Sequence, residues 1–203
     1  MATITASMFM ALDGVVDPAV GNWHFPYFND EMGKAVDGTH DADVMLFGRV
    51  TYDSFAGAWP DRELAGEDDA EMAKRLGGMR KIVVSHRQLE FTWRNSEQLE
   101  GDLVEVVGAL KADPSIRRIA LSGSVSVVRQ LLAADLLDEL HLFVHPVLAG
   151  SGLRLFEEGA PERPLRLLSS QPFATGVIHL VYGPDPNPPT GGYDQAKESL
   201  PQE

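Results

Sequence analysis

Short apolar segments alternate with amphipathic segments along this chain, and no other sequence feature constrains the fold as much. The apolar segments predict strands over Thr3–Met10, Val44–Phe47, Lys81–Val84, Arg118–Leu121, Leu140–Val144, Leu165–Leu168 and Val177–Tyr182. The amphipathic segments predict helices over Asn29–Val36, Thr51–Ala56, Ala70–Leu76, Leu103–Lys111 and Val125–Leu132. Strands separated by helices need crossover connections, which favour parallel, buried strands. The sequence therefore predicts an α/β fold with one mostly parallel central sheet and flanking helices.

The C-terminal part of the chain departs from this alternation. Only a loop separates the last two predicted strands, so we expect them to form an antiparallel hairpin at the sheet edge. Residues 1–183 are predicted to form one domain, whereas residues 184–203 are rich in proline and glycine and are predicted to be a disordered tail. Two long loops are also expected, an aromatic one over Asp13–Asn29 and an exposed, acidic one over Trp59–Asp69.

Charge and composition exclude several classes of function. The formal net charge of −13 disfavours nucleic acid and acidic membranes as partners, although helix N-termini can still bind a small anion. Cysteine is absent, which excludes disulfides, cysteine-ligated zinc and thiol catalysis and favours a cytoplasmic location. The sequence contains no apolar run long enough to span a membrane, and residues 1–10 do not resemble a signal peptide.

The first candidate site lies where the strand Val44–Phe47 gives way to a helix. Gly48 would allow close approach of a bound group, Arg49 supplies a permanent charge, and Thr51 is predicted to cap the helix. Such a helix N-terminus is suited to an anion. A simple turn with a solvated arginine explains the same residues equally well.

Two further strand ends carry small polar residues. Ser122, Gly123 and Ser124 precede the helix that starts at Val125, where a phosphate site and an ordinary helix cap are both consistent with the sequence. Ser85 and Arg87 follow another strand and could bind the 2′-phosphate of NADPH, or form an ordinary surface turn. Because parallel strands end at one edge of a sheet, where open α/β folds bind ligands, these turns are expected to converge. The dinucleotide fingerprint G-x-G-x-x-G is absent.

Several motifs resemble one known family. Residues 48–52 (Gly-Arg-Val-Thr-Tyr) resemble the Gly-Arg-x-Thr-Trp/Tyr motif of dihydrofolate reductases, and residues 11–16 resemble the Ser-Leu-Asp-Gly-x-Ile segment of the riboflavin-type branch. Further similarities are the turn at 122–124, Leu-Leu-Asp-Glu-Leu at 136–140, Pro-Val-Leu-Ala-Gly-Ser-Gly at 146–152 and Leu-Phe at 155–156. Together they identify a dihydrofolate-reductase-like domain similar to the reductase domain of riboflavin biosynthesis (the RibD C-terminal domain).

This resemblance implies an NADPH-dependent reductase of a small planar heterocycle, pterin-like or pyrimidine-like, that forms a homodimer. It places the cofactor phosphates at Gly48, Arg49, Thr51 and the turn 122–124, and it places Leu12, Asp13 and Gly14 beside the nicotinamide. Val125 is also expected at the cofactor site, in the third place of the turn, where the family often has glycine. Ser85 and Arg87 would hold the adenosine 2′-phosphate.

The proton donor for such a reduction is expected at the start of the first helix. Asp30 and Glu31 are the candidates, although both also suit a helix N-terminus as favourable charges. Four aromatic residues before this helix, Trp23, Phe25, Tyr27 and Phe28, are consistent with a stacking platform or with core packing. His141 and His145 share one strand face, and we expect them to be structural rather than metal ligands, since no third ligand is identifiable.

Two other classes of function are compatible with the sequence. A nucleotide-binding module of the same fold would bind NADPH without turnover. A structural interaction protein would use the acidic loop 59–69 and the tail, and would not bind NADPH.

Overall fold

A computed structural model describes residues 1–16, 22–66, 69–193 and 197. The strands are β1 (Thr3–Ala11), β2 (Val44–Gly48), β3 (Arg80–Val84), β4 (Ser96–Gln98), β5 (Arg118–Ser122), β6 (Glu139–His145), β7 (Leu165–Pro172) and β8 (Ile178–Pro184). The helices are α1 (Asp30–Thr39), α2 (Arg49–Ala56), α3 (Trp59–Ala65), α4 (Ala70–Gly78), α5 (Leu103–Ala112) and α6 (Val125–Ala133). One turn of 3₁₀ helix covers Phe25–Tyr27.

One eight-stranded sheet contains all of these strands, in the order β4-β3-β2-β5-β1-β6-β8-β7. Strands β1 to β6 pair in parallel, whereas β8 pairs antiparallel with both β6 and β7. The prediction of a mostly parallel α/β sheet with an antiparallel C-terminal hairpin is therefore confirmed. The sequence did not indicate which strand of the hairpin joins the rest of the sheet. The second strand, β8, pairs with β6, and the first strand, β7, lies at the edge.

Apolar side chains cover both faces of the central strands of the sheet. On one face the core contains residues of α5 and α6, such as Val107 and Leu131, and on the other it contains Met32 of α1 and Leu76 of α4. Strand β2 is buried along its whole length, as expected for a central strand covered on both sides. None of the helices in the described residues has the length and apolar surface needed to cross a bilayer.

The predicted loop Trp59–Asp69 is wrong in part, because Trp59–Ala65 forms α3. Pro60 stands in the first turn, where its fixed φ favours a helix, and Gly66 ends the helix with a φ of 68°. Strand β4 was also not predicted, since a three-residue polar segment carries no strand signal. The predicted disorder of the tail concerns residues that lie partly outside the described ones.

Candidate active site

Three of the predicted site segments meet at one edge of the sheet. Strands β3, β2 and β5 are neighbours and parallel, and Gly48 at the end of β2 lies opposite Val84 at the end of β3. The segments that follow these strands, residues 48–51, 85–87 and 122–125, therefore lie side by side. We call this region the three-turn edge. The convergence expected from the sequence is what the topology produces.

The first and third of these turns are hydrogen-bonded to each other. The amide of Gly48 donates to Oγ of Ser124 over 2.8 Å, and the hydroxyl of Thr51 lies 2.7 Å from the same oxygen. Gly48 has an ordinary φ of −82°, so backbone freedom does not explain the glycine. Space does, because a Cβ at residue 48 would lie 2.4 Å from Oγ of Ser124. Gly48 thus allows the two turns to pack directly against each other.

The prediction that Thr51 caps α2 is wrong. The helix begins at Arg49 with Gly48 as its N-cap, so Thr51 lies within the first turn. Its hydroxyl instead fixes the position of Ser124, which is the N-cap residue of α6. The hydroxyls of Thr51 and Ser124 therefore align the starts of two helices, and the first amides of a helix have no acceptor within that helix. In α6 the amide of Val127 already donates to the carbonyl of Ser124.

Arg49 lies at the surface beside these amides. Its guanidinium donates to the carboxylate of Asp53 over 2.7 Å, and both side chains are about half exposed. An exposed pair of this type, one helical turn apart, stabilises a helix by only about 0.3–0.5 kcal/mol. Arg49 can therefore exchange Asp53 for another anion at little cost.

Gly123 and Val125 complete the third turn. Gly123 has a φ of +74° and donates its amide to the carbonyl of Ser7 in β1 over 3.0 Å. Val125, the first residue of α6, packs its side chain against the hydrophobic core. The branched residue that differs from the family pattern is thus accommodated by packing into the core.

The turn at residues 85–87, which follows β3, is held together by side-chain hydrogen bonds. Oγ of Ser85 accepts the amide of Arg87 over 3.0 Å, and Nε2 of Gln98 donates to the carbonyls of both residues. Ser85 directly follows Val84, which lies opposite Gly48 in the β2–β3 pair. The structure thus places Ser85 and Arg87 beside the turn at 48–51, and the turn at 122–125 lies on the other side of that turn.

The segment 12–14 contacts a second loop that is distant in sequence. The Asp13 carboxylate accepts the amides of Gly150 and Ala149 over 2.7 and 3.3 Å, while Nε of Arg154 donates to the Asp13 carbonyl. The Gly150 amide contributes most to lowering the pKa of Asp13 below its usual value. The family-like motifs at 11–16 and 146–152 are therefore hydrogen-bonded to each other. Sequence reasoning did not detect this pairing.

The two candidate acids at the start of α1 differ in their contacts. One carboxylate oxygen of Glu31 accepts the amide of Ala174, in the turn between β7 and β8, over 2.9 Å. Asp30 is exposed at the first position of the helix. Glu31 thus joins α1 to the C-terminal hairpin, and the catalytic role of either residue stays a prediction.

A cluster of buried ring nitrogens at the ends of β1 and β6 was not predicted. It contains Trp23, His24 and His145, which we call the nitrogen cluster, with Phe9 packed against both histidines at centroid distances of 5.4 and 5.6 Å. The Trp23 ring centroid lies 5.3 Å from that of His24 and 5.1 Å from that of His145. Of the aromatic residues noted before α1, Trp23 belongs to this cluster.

The histidines of β6 do not pair with each other. His141 lies between Glu139 and His179, at 3.1 Å from each. Burial, with a contribution from His141, lowers the pKa of His179 to about 4. No group of three or more metal-binding side chains is present in the described residues.

Comparison with known proteins defines the class of this fold and then its family. The chain matches a structure from Shewanella sp. PV-4 attributed to riboflavin biosynthesis, with a TM-score of 0.66 and 20% identity over 90% of this chain and 98% of that one. It also matches the Saccharomyces cerevisiae riboflavin biosynthesis reductase Rib7, with a TM-score of 0.55 and 16% identity over 90% and 89% of the two chains. The fold is therefore the dihydrofolate-reductase-like fold predicted from the sequence.

The sequence comparisons identify the family. The family model of the RibD C-terminal domain matches residues 2–179. The uncharacterized protein YyaP of Bacillus subtilis strain 168 is 27% identical over 179 residues, which cover 88% of this chain and 93% of YyaP. This chain belongs to the RibD C-terminal domain family.

Proposed function

We propose that this protein is an NADPH-dependent reductase of a small planar heterocyclic or imine-like substrate. Membership of a family whose relatives include a riboflavin biosynthesis reductase supports reductase chemistry. The observation that carries the proposal is the pairing of two helix starts through Gly48, Thr51 and Ser124. This pairing brings two sets of first-turn amides to the C-terminal edge of neighbouring parallel strands, where a pyrophosphate is best stabilised.

The three-turn edge fits a dinucleotide with an additional phosphate. The first-turn amides of α2 and α6 would donate to the pyrophosphate, and the Arg49 guanidinium would replace its contact to Asp53 with a phosphate contact. Ser85 and Arg87, one strand further along the edge, would hold the adenosine 2′-phosphate. Gly48 would keep the two helix starts in contact at this site, because a Cβ at this position would clash with Ser124.

The segment 12–14 would support the nicotinamide. β1 extends beyond the level of Gly123, which bonds to Ser7, as far as Ala11, so its end lies past the phosphate turns in the strand direction. The hydrogen bonds that the amides of Ala149 and Gly150 donate to the Asp13 carboxylate fix this segment in place. The bound cofactor supplies the hydride, whereas the chain positions it and excludes water. Asp30 and Glu31 stay the candidate sources of the proton.

Titration with NADPH tests this function directly. We expect Arg49→Ala to bind NADPH at least several-fold more weakly, because a charge-assisted hydrogen bond contributes roughly 1.5–3 kcal/mol. Asp53→Asn is the matched control, since it removes the competing carboxylate and should leave affinity equal or higher. Equal affinity of wild type and Arg49→Ala would contradict the proposed phosphate site.

Turnover distinguishes an enzyme from a nucleotide-binding module. Steady oxidation of NADPH with pterin or pyrimidine substrates supports a reductase, whereas saturable binding without oxidation supports the module. Failure to bind NADPH at all would contradict both.

A further inference from the structure

The nitrogen cluster contains three polar groups that are buried without a hydrogen-bond partner. Nε1 of Trp23, Nδ1 of His24 and Nε2 of His145 have none among the described residues. Both histidine rings are over nine-tenths buried, and Trp23 is partly exposed. Because buried polar groups in native proteins are nearly always satisfied, three neighbouring exceptions indicate a site for a polar ligand.

The hydrogen-bonding role of His145 is fixed by its surroundings. Its Nδ1 lies 2.8 Å from the carbonyl oxygen of Phe143, and a carbonyl can only accept. Nδ1 therefore carries the hydrogen, and in the neutral ring Nε2 is an acceptor. Burial lowers the pKa of His145, which favours this neutral form. His145 thus presents a single lone pair.

The neighbouring groups supply the complementary role. The indole nitrogen of Trp23 can only donate, whereas Nδ1 of His24 donates or accepts according to its tautomer. One fixed acceptor and one fixed donor therefore lie on rings whose centroids are 5.1 Å apart. A ligand that satisfies both must itself donate to one ring and accept from the other.

The position of the cluster relates it to the proposed nicotinamide segment. His145 is the residue opposite Ala11 in the β1–β6 pair, and the amide of Leu12 bonds to the carbonyl of Val147. The cluster therefore adjoins the segment 12–14. Along β1, Phe9 contacts the cluster, whereas Ser7 contacts Gly123 of the three-turn edge.

Unpaired nitrogens alone do not define such a site, as His40 shows. Both of its ring nitrogens are buried and unpaired, and burial lowers its pKa to about 4. However, His40 follows α1 and precedes β2, so it lies at the opposite end of the parallel strands from His145. In the nitrogen cluster, in contrast, three neighbouring unpaired groups lie together near the edge at which this fold binds ligands.

We infer that the nitrogen cluster is a substrate-recognition site for the –NH–C(=O)– edge of a planar lactam. The substrate N–H donates to Nε2 of His145, and the adjacent carbonyl accepts from Trp23. His145 is then the specificity-determining residue, because a ring nitrogen that carries a methyl group cannot donate to it. The inference rests on the proposed function for its substrate class, but not for its hydrogen-bonding logic.

Access to this site requires the Trp23 side chain to shift. His145 has no exposed surface, while Trp23 is partly exposed and covers it. Binding of a lactam should therefore change the environment of the indole. Trp59 and Trp93 belong to a different aromatic cluster on the β2 side of the sheet, so they do not report on this site.

Calorimetric titration with two probes tests the inference. Diaminouracil presents lactam N–H groups, whereas its dimethyl analogue, methylated on both ring nitrogens, does not. With wild type we expect diaminouracil to bind about tenfold or more tightly than the analogue, as one satisfied hydrogen bond predicts. His145→Phe should abolish this preference, and His40→Phe, an equally buried control at the other end of the strands, should retain it.

Two further measurements keep the test decisive. Trp23→Phe, at a partly exposed position, removes the donor with little risk to folding and should weaken diaminouracil binding severalfold, with loss of the probe-induced change in tryptophan fluorescence. Each titration is performed with and without NADPH, so that failure of cofactor binding is recorded separately from failure of lactam recognition. Absence of any preference in wild type, an unchanged preference in folded His145→Phe, or unchanged diaminouracil affinity in Trp23→Phe would overturn the inference.

Discussion

The three-turn edge and the nitrogen cluster differ in how their polar groups are satisfied. At the three-turn edge the hydroxyls of Thr51 and Ser124 and the amide of Gly48 are already hydrogen-bonded to each other. In the nitrogen cluster three ring nitrogens are buried and unpaired. The three-turn edge can therefore bind a ligand through its backbone amides, because its side chains are already hydrogen-bonded. The nitrogen cluster can bind a ligand through its side chains.

We therefore expect the two regions to recognise different parts of a ligand. Backbone amides at helix starts suit a phosphate whatever the rest of the ligand is, because they recognise charge and not shape. Side-chain donors and acceptors in a buried site discriminate between ligands, since an unmatched partner leaves a desolvated group unsatisfied. We therefore expect substitutions at the edge to affect stability and cofactor binding together, and substitutions in the cluster to affect substrate preference.

Gly48→Ala should have the largest effect at the three-turn edge. The new Cβ would lie 2.4 Å from Oγ and 2.8 Å from Cβ of Ser124, so the two turns must separate. Overpacking of this kind costs about 1–3 kcal/mol, and we expect NADPH affinity to fall on the order of tenfold. Chemical denaturation and NADPH titration measure the two effects.

Two further variants show whether a loss of stability in Gly48→Ala comes from the contact with Ser124 or from any replacement of glycine by alanine. Gly108→Ala lies in the interior of α5 with open space around the new Cβ, so it should stabilise by up to about 1 kcal/mol. Adding Ser124→Gly to Gly48→Ala removes the clash and should recover part of the lost stability. If Gly48→Ala were as stable as wild type, the two turns would not be in contact.

Gly123→Ala should have a smaller effect on stability. Its φ of +74° is costly for alanine, by about 1–2 kcal/mol, but the nearest atom to the new Cβ is Oγ1 of Thr51 at an ordinary 3.5 Å. The cost is therefore local strain without overpacking. Thermal unfolding would show it, and a loss as large as that of Gly48→Ala would contradict the distinction between the two glycines.

Asp13→Asn should have the smallest effect, and one that depends on pH. The folded state lowers the pKa of Asp13, chiefly through the Gly150 amide. The carboxylate therefore stabilises the fold above its unfolded pKa of about 3.9 and loses this contribution as pH falls through the lower folded value. The variant should melt below wild type at neutral pH, and the gap should close in acid. A gap that persisted unchanged at low pH would show that the charge of Asp13 is not responsible.

The three-turn edge could be predicted from the sequence, whereas the nitrogen cluster could not. Gly48, Arg49, Thr51 and Ser122–Ser124 are visible because each turn is a local strand-to-helix transition, and parallel topology brings such transitions to one edge. The exact start of α2 was not predictable, since Thr51 is an ordinary N-cap residue type and its actual partner, Ser124, is 73 residues away.

Features that depend on distant contacts were missed for the same reason. His145 and Trp23 meet only because β1 and β6 pair in the sheet and a loop returns to their ends. The contact of Asp13 with Gly150 joins residues 137 positions apart. Neither the periodicity of a sequence nor a local motif shows which loops come into contact. The family resemblance therefore identified the segments around Asp13 and Gly150, but not the hydrogen bonds between them.

A crystal structure determined with excess NADPH would show whether the three-turn edge binds the cofactor phosphates. We expect the pyrophosphate oxygens to accept hydrogen bonds from the first-turn amides of α2 and α6, with Arg49 turned from Asp53 towards a phosphate. Only water at the three-turn edge, or NADPH bound at another part of the molecule, would contradict it.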